Sequence, residues 1–165
     1  MGATGTPLDY CAGLPERAFE AGDVVIQEGA AGALFVLVEG AVEVLKGDLR
    51  VNVVDEPGAI FGEVSVLLGS LPMATVRALE RSRFYVADDG LAFIASQPDL
   101  ALAVARLLAA RLMSVTSYLV DVKKQFEDQQ SHLAIVDEVL ETLVHAQGAG
   151  EDTDRGSDRE PDPNC

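Results

Sequence analysis

Apolar residues lie in short runs along residues 17–87, and glycines separate many of these runs. Runs of this kind, roughly ten residues apart and divided by turn residues, are typical of the strands of a β-barrel or sandwich. Lys46-Gly47-Asp48 has the composition of a hairpin turn between two of them. Strands are predicted at residues 24–26, 34–38, 42–45, 49–53, 74–78 and 83–87, and together they indicate an eight-stranded jelly roll of the cupin type.

The run at 49–53 alternates most regularly. Leu49, Val51 and Val53 alternate with Arg50 and Asn52. Because successive side chains of a strand point to opposite faces, this pattern predicts a half-buried strand. We expect an α+β, mainly β fold with an N-terminal segment at 1–16, the barrel at 17–98, short flanking helices and a long C-terminal helix.

The C-terminal region has a helical pattern. Residues 90–96 predict a short helix that ends before Pro98, and Asp99 is a candidate cap for a long helix. Apolar or small residues then recur in steps of four and three, which is a heptad seam of about six repeats. The seam residues are Ala101, Ala105, Leu108, Leu112, Val115, Leu119, Val122, Phe126, Gln129, Leu133, Val136, Leu140 and Leu143.

This seam predicts a coiled-coil dimerisation region at 99–147 and a homodimer formed through residues 101–143. The alternative is a helix that packs only within its own subunit. Gln129 lies in the seam and Ser131 is a candidate N-cap, so the sequence leaves open whether the helix breaks at 128–131. The remaining residues, 148–165, are polar, acidic and rich in Gly and Pro, and are expected to be disordered.

Charge and composition exclude several classes of function. The 165 residues carry a formal net charge of −15, which repels nucleic acids and anionic membranes. No run approaches 18 uninterrupted apolar residues, so no membrane span is expected. Cys11 and Cys165 lie at opposite ends without partners at metal-ligand spacing, which favours a reducing cytoplasm. We therefore expect a cytoplasmic protein that contacts neither nucleic acid nor membrane directly.

The sequence also argues against an enzyme. The two histidines, His132 and His145, lie outside the predicted barrel, so the usual metal set of a cupin is missing. We expect no catalytic residue, no metal and no certain cofactor.

Candidate chemistry lies in Phe61-Gly62-Glu63, which opens a short apolar run at 64–68. Gly62 allows the backbone to approach a ligand closely. The first N–H groups of a short helix are unpaired and favour negative charge. Glu63 is able to accept a hydrogen bond from a sugar hydroxyl, and the combination suggests a nucleotide. In the alternative interpretation, Glu63 only caps its own helix.

The runs FGEVSVLL and ATVRA resemble the phosphate-binding cassette of the cyclic-nucleotide-binding domain family, which includes the catabolite activators and the protein kinase A regulatory subunits. The glycine pattern from Gly22-Asp23 through Gly29 to Pro57-Gly58 extends the resemblance over about residues 17–88. It implies a barrel that binds cyclic AMP or cyclic GMP, and a C-helix that pairs in parallel with its twin and covers the pocket.

The resemblance also implies roles for individual residues. Backbone N–H groups of Gly62, Val64 and Ser65 would contact a phosphate, and Glu63 would accept a hydrogen bond from a ribose hydroxyl. Thr116 and Ser117 on the long helix resemble the Thr-Ser pair of the catabolite activators, which contacts the adenine base of the ligand. The implied ligand-binding set is Phe61, Gly62, Glu63, Val64, Ser65, Pro72, Met73, Ala74, Thr75, Thr116 and Ser117.

One departure from the family pattern affects the ligand. The place of the family's phosphate-binding Arg falls on Pro72, and no Arg occurs between Arg50 and Arg77. Strand alternation predicts that Pro72 faces inward with Val76, whereas Arg77 faces outward. Loss of a charged, bidentate contact costs about 2–5 kcal/mol, roughly 30- to several-thousand-fold in affinity.

Two functions remain open. One is a sensor module in which a cyclic nucleotide bound in the barrel acts on the dimerising C-helix. The other is a ligand-free domain that serves for dimerisation and for interaction with an unidentified protein. A DNA-binding transcription factor is disfavoured because only about 35 residues follow Gln130 and this segment is acidic, whereas the family's winged helix needs roughly 70 residues.

Overall fold

The structure, a computed structural model, describes residues 5–126 and 130–145, with side chains described for 5–126 and 135–144. The tail that was predicted to be disordered, and the side chains of Gln129, Ser131, His132 and His145, lie outside this description. The chain divides into two compact units, Met1–Leu108 and Ala109–Cys165.

The first unit consists of eight strands and short helices, as the sequence predicted. A 3-10 turn at Pro7–Tyr10 precedes the first strand. The elements are β1 (Glu16–Phe19), β2 (Val24–Ile26), β3 (Leu34–Glu39), β4 (Val42–Lys46), β5 (Leu49–Val54), β6 (Ile60–Phe61), α1 (Glu63–Leu68), β7 (Thr75–Ala78), β8 (Ser82–Ala87), α2 (Gly90–Ala95), α3 (Pro98–Gln125) and α4 (Gln130–His145).

The strands form two antiparallel sheets of four. One sheet has the order β1-β8-β3-β6 and the other β2-β7-β4-β5. Their inner faces enclose a core in which Phe84 is fully buried and contacts three other rings edge-to-face. The ring centroids of Phe19, Phe35 and Phe61 lie 5.6, 6.0 and 6.1 Å from that of Phe84. Edge-to-face packing of this kind adds to the burial of apolar surface.

The first sheet is buried on both faces. Its outer face is covered by a second core that includes Leu34 and Val36 of β3, Ile94 of α2, and Leu100 and Val104 of α3. Two-sided burial explains why residues 34–37 form an unbroken apolar run instead of an alternating one.

The second sheet packs on one side only, and this overturns the expected burial of β5. Leu49, Val51 and Val53 are 71%, 61% and 46% exposed. Val53 is paired with Glu43, which points away from the core. The edge strand also shifts register beside Val44, so the alternation in sequence does not follow the buried face.

Glu43 joins three strands on the outer face of this sheet. Its carboxylate accepts hydrogen bonds from Arg77 Nε at 2.7 Å and Arg50 Nε at 2.6 Å. Glu43 is only 2% exposed because the two arginine side chains cover it. The hydrogen bond from Arg77, together with Arg50, lowers the pKa of Glu43 below its ordinary value, although burial opposes the shift.

Gly62 fixes the junction between β6 and α1. Its φ is +87°, a left-handed conformation that favours glycine. A Cβ at this position would lie 2.3 Å from the carbonyl oxygen of Ala33. Two independent constraints therefore require glycine immediately before α1.

The second unit contains the end of α3 and all of α4. The helix ends at Gln125, and the next begins at Gln130, which answers the question that the sequence left open. Lys123 of α3 forms an ion pair with Asp137 of α4. Fourteen residues of continuous helix would separate these two by about 21 Å, so α4 turns back towards α3. The seam at 101–143 is therefore not a single uninterrupted helix.

The start of α3 also differs from the expectation. The helix begins at Pro98, so Asp99 lies in its first turn instead of at the N-cap. By length and composition α3 could cross a membrane, and it is the one helix in the described part of the chain that meets this criterion. Its first turns, however, are packed in the protein core through Leu100 and Val104.

Glu43→Gln is expected to destabilise the domain at pH 7, because the uncharged amide cannot form the two ion pairs. Folding lowers the pKa of Glu43, so its stabilisation is fully present above the unfolded value of about 4.3 and is lost as the pH falls through the lower folded value. The difference in Tm between wild type and variant should shrink below about pH 4.3. Glu80→Gln, at an exposed position, is the control; parallel acid-denaturation curves for wild type and Glu43→Gln would contradict the assignment.

Gly62→Ala is expected to lower the free energy of unfolding by about 3 kcal/mol or more, measured by urea denaturation. The left-handed conformation alone costs about 1–2 kcal/mol, and contact with Ala33 adds to it. Gly69→Ala is the matched control, because Gly69 also has a positive φ, +62°, but open space around it. Equal losses for the two variants would show that the close approach to Ala33 has no energetic consequence.

Candidate functional site

The cassette predicted from the sequence begins at the end of β6. Phe61 is buried in the core, and Gly62 is the N-cap of α1. Glu63 is the first residue of this helix and is only 3% exposed. The alternative interpretation, that Glu63 caps its own helix, stays a prediction.

Side chains on α1 separate into two groups. Ser65 is buried, and its hydroxyl donates to the carbonyl of Gly62 at 3.0 Å. Val64 points outward and is 39% exposed. The backbone N–H of Val66 also bonds the Gly62 carbonyl, at 3.0 Å. The first turn of α1 is thus tied to the glycine that precedes it, with Glu63 held at its start.

The return segment of the cassette meets α1 at Gly32. Pro72 is buried, and its carbonyl accepts the N–H of Gly29 at 2.9 Å. A Cβ on Gly32 would lie 2.9 Å from Pro72 Cγ and 3.8 Å from Ser65 Oγ. The structure therefore brings Ser65 and Pro72 together across one small residue, as expected for two halves of one cassette.

The residues after Pro72 are more exposed than Pro72 itself. Met73 is 66% exposed and Ala74 is half-buried. The hydroxyl of Thr75 accepts the backbone N–H of Glu28 at 3.1 Å and the side-chain amide of Gln27 at 3.3 Å. Thr75 is thus engaged with the 27–28 loop, and its predicted part in ligand binding remains a prediction.

An interaction that the sequence did not indicate holds the return segment. Lys46, at the end of β4, donates to the carbonyl of Met73 at 2.7 Å and forms an ion pair with Glu28. The hydrogen bond from Lys46, followed by that from the Gly47 N–H, lowers the pKa of Glu28. Lys46 and Met73 are 27 residues apart, so no local pattern could have shown this link.

The arginines of the first sheet and of the second all have acidic partners. Arg77 faces outward, as predicted, and Arg50, which the sequence could not place, lies beside it on Glu43. Apart from Arg77 itself, these pairs include no residue of the two cassette runs, 61–68 and 74–78. The pairs are Arg17–Asp88, Arg50–Glu43, Arg77–Glu43, Arg81–Glu20, Arg83–Glu16 and Arg83–Glu39.

Thr116 and Ser117 belong to the second unit. The hydroxyl of Thr116 donates to the carbonyl of Leu112 at 2.8 Å within its own helix, and Ser117 is exposed. The first unit holds the other nine predicted site residues. A contact of Thr116 or Ser117 with a bound ligand remains a prediction.

Residues able to bind a metal are not grouped in the described part of the chain. Within residues 5–126 and 130–145, no three His, Cys, Asp or Glu side chains are arranged to hold a metal ion. Cys11 is fully buried, its thiol donates to the carbonyl of Pro7 at 3.2 Å, and burial raises its pKa to about 11. An unreactive, structural thiol is the consequence.

Comparison with known proteins agrees with this geometry. The family model described as "Cyclic nucleotide-binding domain" matches residues 16–90. A candidate potassium channel protein from Rhodopseudomonas palustris (strain ATCC BAA-98 / CGA009) is 35% identical over 103 residues, which is 59% of this chain. The match covers 25% of that protein's length, so it concerns one part of a larger molecule.

Solved structures share the fold. The catabolite activator protein of Thermus thermophilus superposes with a TM-score of 0.62 at 22% identity, covering 85% of this chain and 81% of its own. The second domain of a protein kinase A regulatory subunit, solved with Sp-2Cl-cAMPS bound, gives 0.56 at 19% identity, covering 74% and 80%. The two four-stranded sheets, the cassette between β6 and β7, and the family match together show that residues 16–90 of this chain belong to the cyclic nucleotide-binding domain family.

Proposed function

We propose that this protein is a non-catalytic sensor module in which a cyclic nucleotide, cyclic AMP or cyclic GMP, binds at the cassette and acts on a dimerising C-helix. The observation that carries the proposal is the junction of α1, where Glu63 is buried immediately after the left-handed Gly62. Glu63 begins α1, and the first N–H groups of this helix favour negative charge.

Ligand contacts follow from this arrangement. The backbone N–H groups of Gly62, Val64 and Ser65 would bind the phosphate, and Glu63 would accept a hydrogen bond from a ribose hydroxyl. Pro72 takes the place of the family's arginine, so the phosphate would rely on backbone dipoles without a guanidinium. Neutral contacts of this kind are weaker than charge-assisted ones, and micromolar or weaker affinity is expected.

The output side of the module is the helical region. The protein would act as a cytoplasmic homodimer through residues 101–143, with Thr116 and Ser117 available to the base. A ligand that binds two arrangements of this region with different affinity would shift the population between them. A partner protein would bind one of the two arrangements preferentially. This chain itself would contact neither nucleic acid nor membrane directly.

The alternative is a ligand-free domain that serves for dimerisation and protein interaction. Specific observations favour it. All five arginines of the barrel are paired with carboxylates elsewhere, and the buried ring of Pro72 lies where the family's arginine would extend. Glu63 adds a negative charge to the cassette and Pro72 supplies no positive one, which disfavours the binding of an anion.

Titration calorimetry with cyclic AMP and cyclic GMP distinguishes the two functions. Wild type is expected to bind one of them in the micromolar range. Glu63→Gln should weaken binding by about 10- to 150-fold, since a hydrogen bond to a charged group contributes about 1.5–3 kcal/mol. Glu80→Gln is the control and should bind as wild type does.

Absence of heat at millimolar ligand, with the thermal melt showing a folded protein, would reject the sensor function and favour the ligand-free alternative. Equal affinity of wild type and Glu63→Gln would place any bound nucleotide away from α1.

Pro72→Arg tests the missing cation directly. If the cassette holds a phosphate, this change should tighten binding by about 30-fold or more, the affinity that a bidentate charged contact supplies. Leu71→Arg is the matched control, because it adds the same charge at a 59% exposed position one residue earlier. Equal gains for the two variants would indicate a general effect of charge and not a phosphate site.

A further inference from the structure

The return segment of the cassette, residues 72–75, is fixed in part by the loop between β2 and β3. The carbonyl of Pro72 accepts the N–H of Gly29 at 2.9 Å. At the other end of the segment, the hydroxyl of Thr75 accepts the N–H of Glu28 at 3.1 Å. Two successive residues of one loop therefore bind both ends of the segment.

Lys46 adds a contact from a different element. It is the last residue of β4, and its Nζ donates to the carbonyl of Met73, inside the segment, at 2.7 Å. Thr75 begins β7, which pairs with β4 through Leu45. The ammonium group of Lys46 thus binds the backbone of the segment just before the chain enters the second sheet.

Glu28 orients the Lys46 side chain. One carboxylate oxygen of Glu28 forms an ion pair with Lys46, and the other accepts the backbone N–H of Gly47 at 3.1 Å. Both oxygens are thus bound by the turn between β4 and β5. Because the N–H of Glu28 also bonds Thr75, this residue connects the loop, the turn and the return segment.

The return segment lies next to the other half of the cassette. Gly32, from the loop that contains Glu28, separates the ring of Pro72 from Ser65 of α1. A Cβ on Gly32 would lie 2.9 Å from Pro72 Cγ and 3.8 Å from Ser65 Oγ. A shift of the return segment would therefore change the spacing between the two halves, and a ligand that contacts both requires this spacing to be fixed.

We propose that Lys46 is a positioning residue of the cassette, which fixes the return segment in the geometry that a bound nucleotide requires. The inference rests on the ligand of the proposed function and adds a residue outside the site that the sequence predicted. Lys46 would act through the carbonyl of Met73 and would not touch the ligand. Its donor is charged, and hydrogen bonds from charged donors are stronger than those between neutral groups.

The exposure of this contact makes a role in binding separable from a role in folding. The side chains of Lys46 and Glu28 are 54% and 31% exposed, and ion pairs near the surface contribute little to global stability. A loop segment, in contrast, is able to open while the rest of the domain stays folded. If the segment keeps its binding geometry for only part of the time, the apparent Kd rises by the inverse of that fraction.

Lys46→Met tests the proposal in the full chain. The Kd for the cyclic nucleotide that wild type binds should rise by about fivefold, the value for a segment that is correctly placed about one fifth of the time. Tm should change by no more than about 2 °C, because the contact is largely exposed. Lys46→Arg keeps a charged donor at this position and should bind within about twofold of wild type.

Arg17→Met is the matched control for charge. Arg17 lies on the other sheet, is 56% exposed and forms an ion pair with Asp88. Its replacement removes one positive charge, as Lys46→Met does, but leaves the return segment intact. Nucleotide affinity should therefore stay at the wild-type value.

Amide exchange measured by NMR reports on the return segment without any ligand. The N–H of Gly29, which donates to Pro72, should exchange about fivefold faster in Lys46→Met than in wild type. The N–H of Gly22 is the internal control, because it donates to the carbonyl of Ala78, at the opposite end of β7, at 2.7 Å. Its exchange rate should not change.

Several outcomes would overturn the proposal. Unchanged exchange at Gly29 in Lys46→Met shows that Lys46 does not fix the segment, whether or not a nucleotide binds. Faster exchange with unchanged affinity shows that the segment does not position the ligand, and equal weakening by Arg17→Met indicates a general effect of charge. Absence of nucleotide binding to wild type rejects the sensor function instead, and exchange at Gly29 then decides by itself whether Lys46 fixes the segment.

Discussion

Two-sided burial of the sheet β1-β8-β3-β6 is the constraint on which the rest of the structure depends. Its inner face meets the other sheet around Phe84, and its outer face holds α2 and the first turns of α3. The strands that carry this sheet also set the cassette, because β3 pairs with β6 and brings the carbonyl of Ala33 against Gly62. Only glycine fits there, and the direction in which α1 leaves the sheet follows from it.

The cassette retains its backbone geometry while its electrostatics differ from the family pattern. Gly62, Glu63 and Ser65 lie together at the start of α1, and Gly32 lies between Ser65 and Pro72. Arginines of the barrel form ion pairs on its surface instead, where Arg50 and Arg77 cover Glu43 and link β4, β5 and β7. The cassette therefore keeps its glycine and short helix but has no arginine at position 72. A ligand-binding measurement tests whether the backbone alone is sufficient to bind a nucleotide.

The helical unit shows a comparable division. A seam that is regular in sequence is divided between α3 and α4, and the ion pair between Lys123 and Asp137 links the two helices.

The sequence by itself determined the strands, the hairpin turn at Lys46-Gly47, the short helix after Gly62 and the outward direction of Arg77, because each depends on local periodicity or on glycine. It was wrong about β5, since Leu49, Val51 and Val53 follow a register imposed by β4 and lie on an uncovered edge. Tertiary structure alone decided that Glu43 binds two arginines, that Lys46 holds the Met73 carbonyl, and that α4 turns back towards α3. Contacts between residues far apart in the chain depend on how the elements pack, and a local pattern carries no record of that packing.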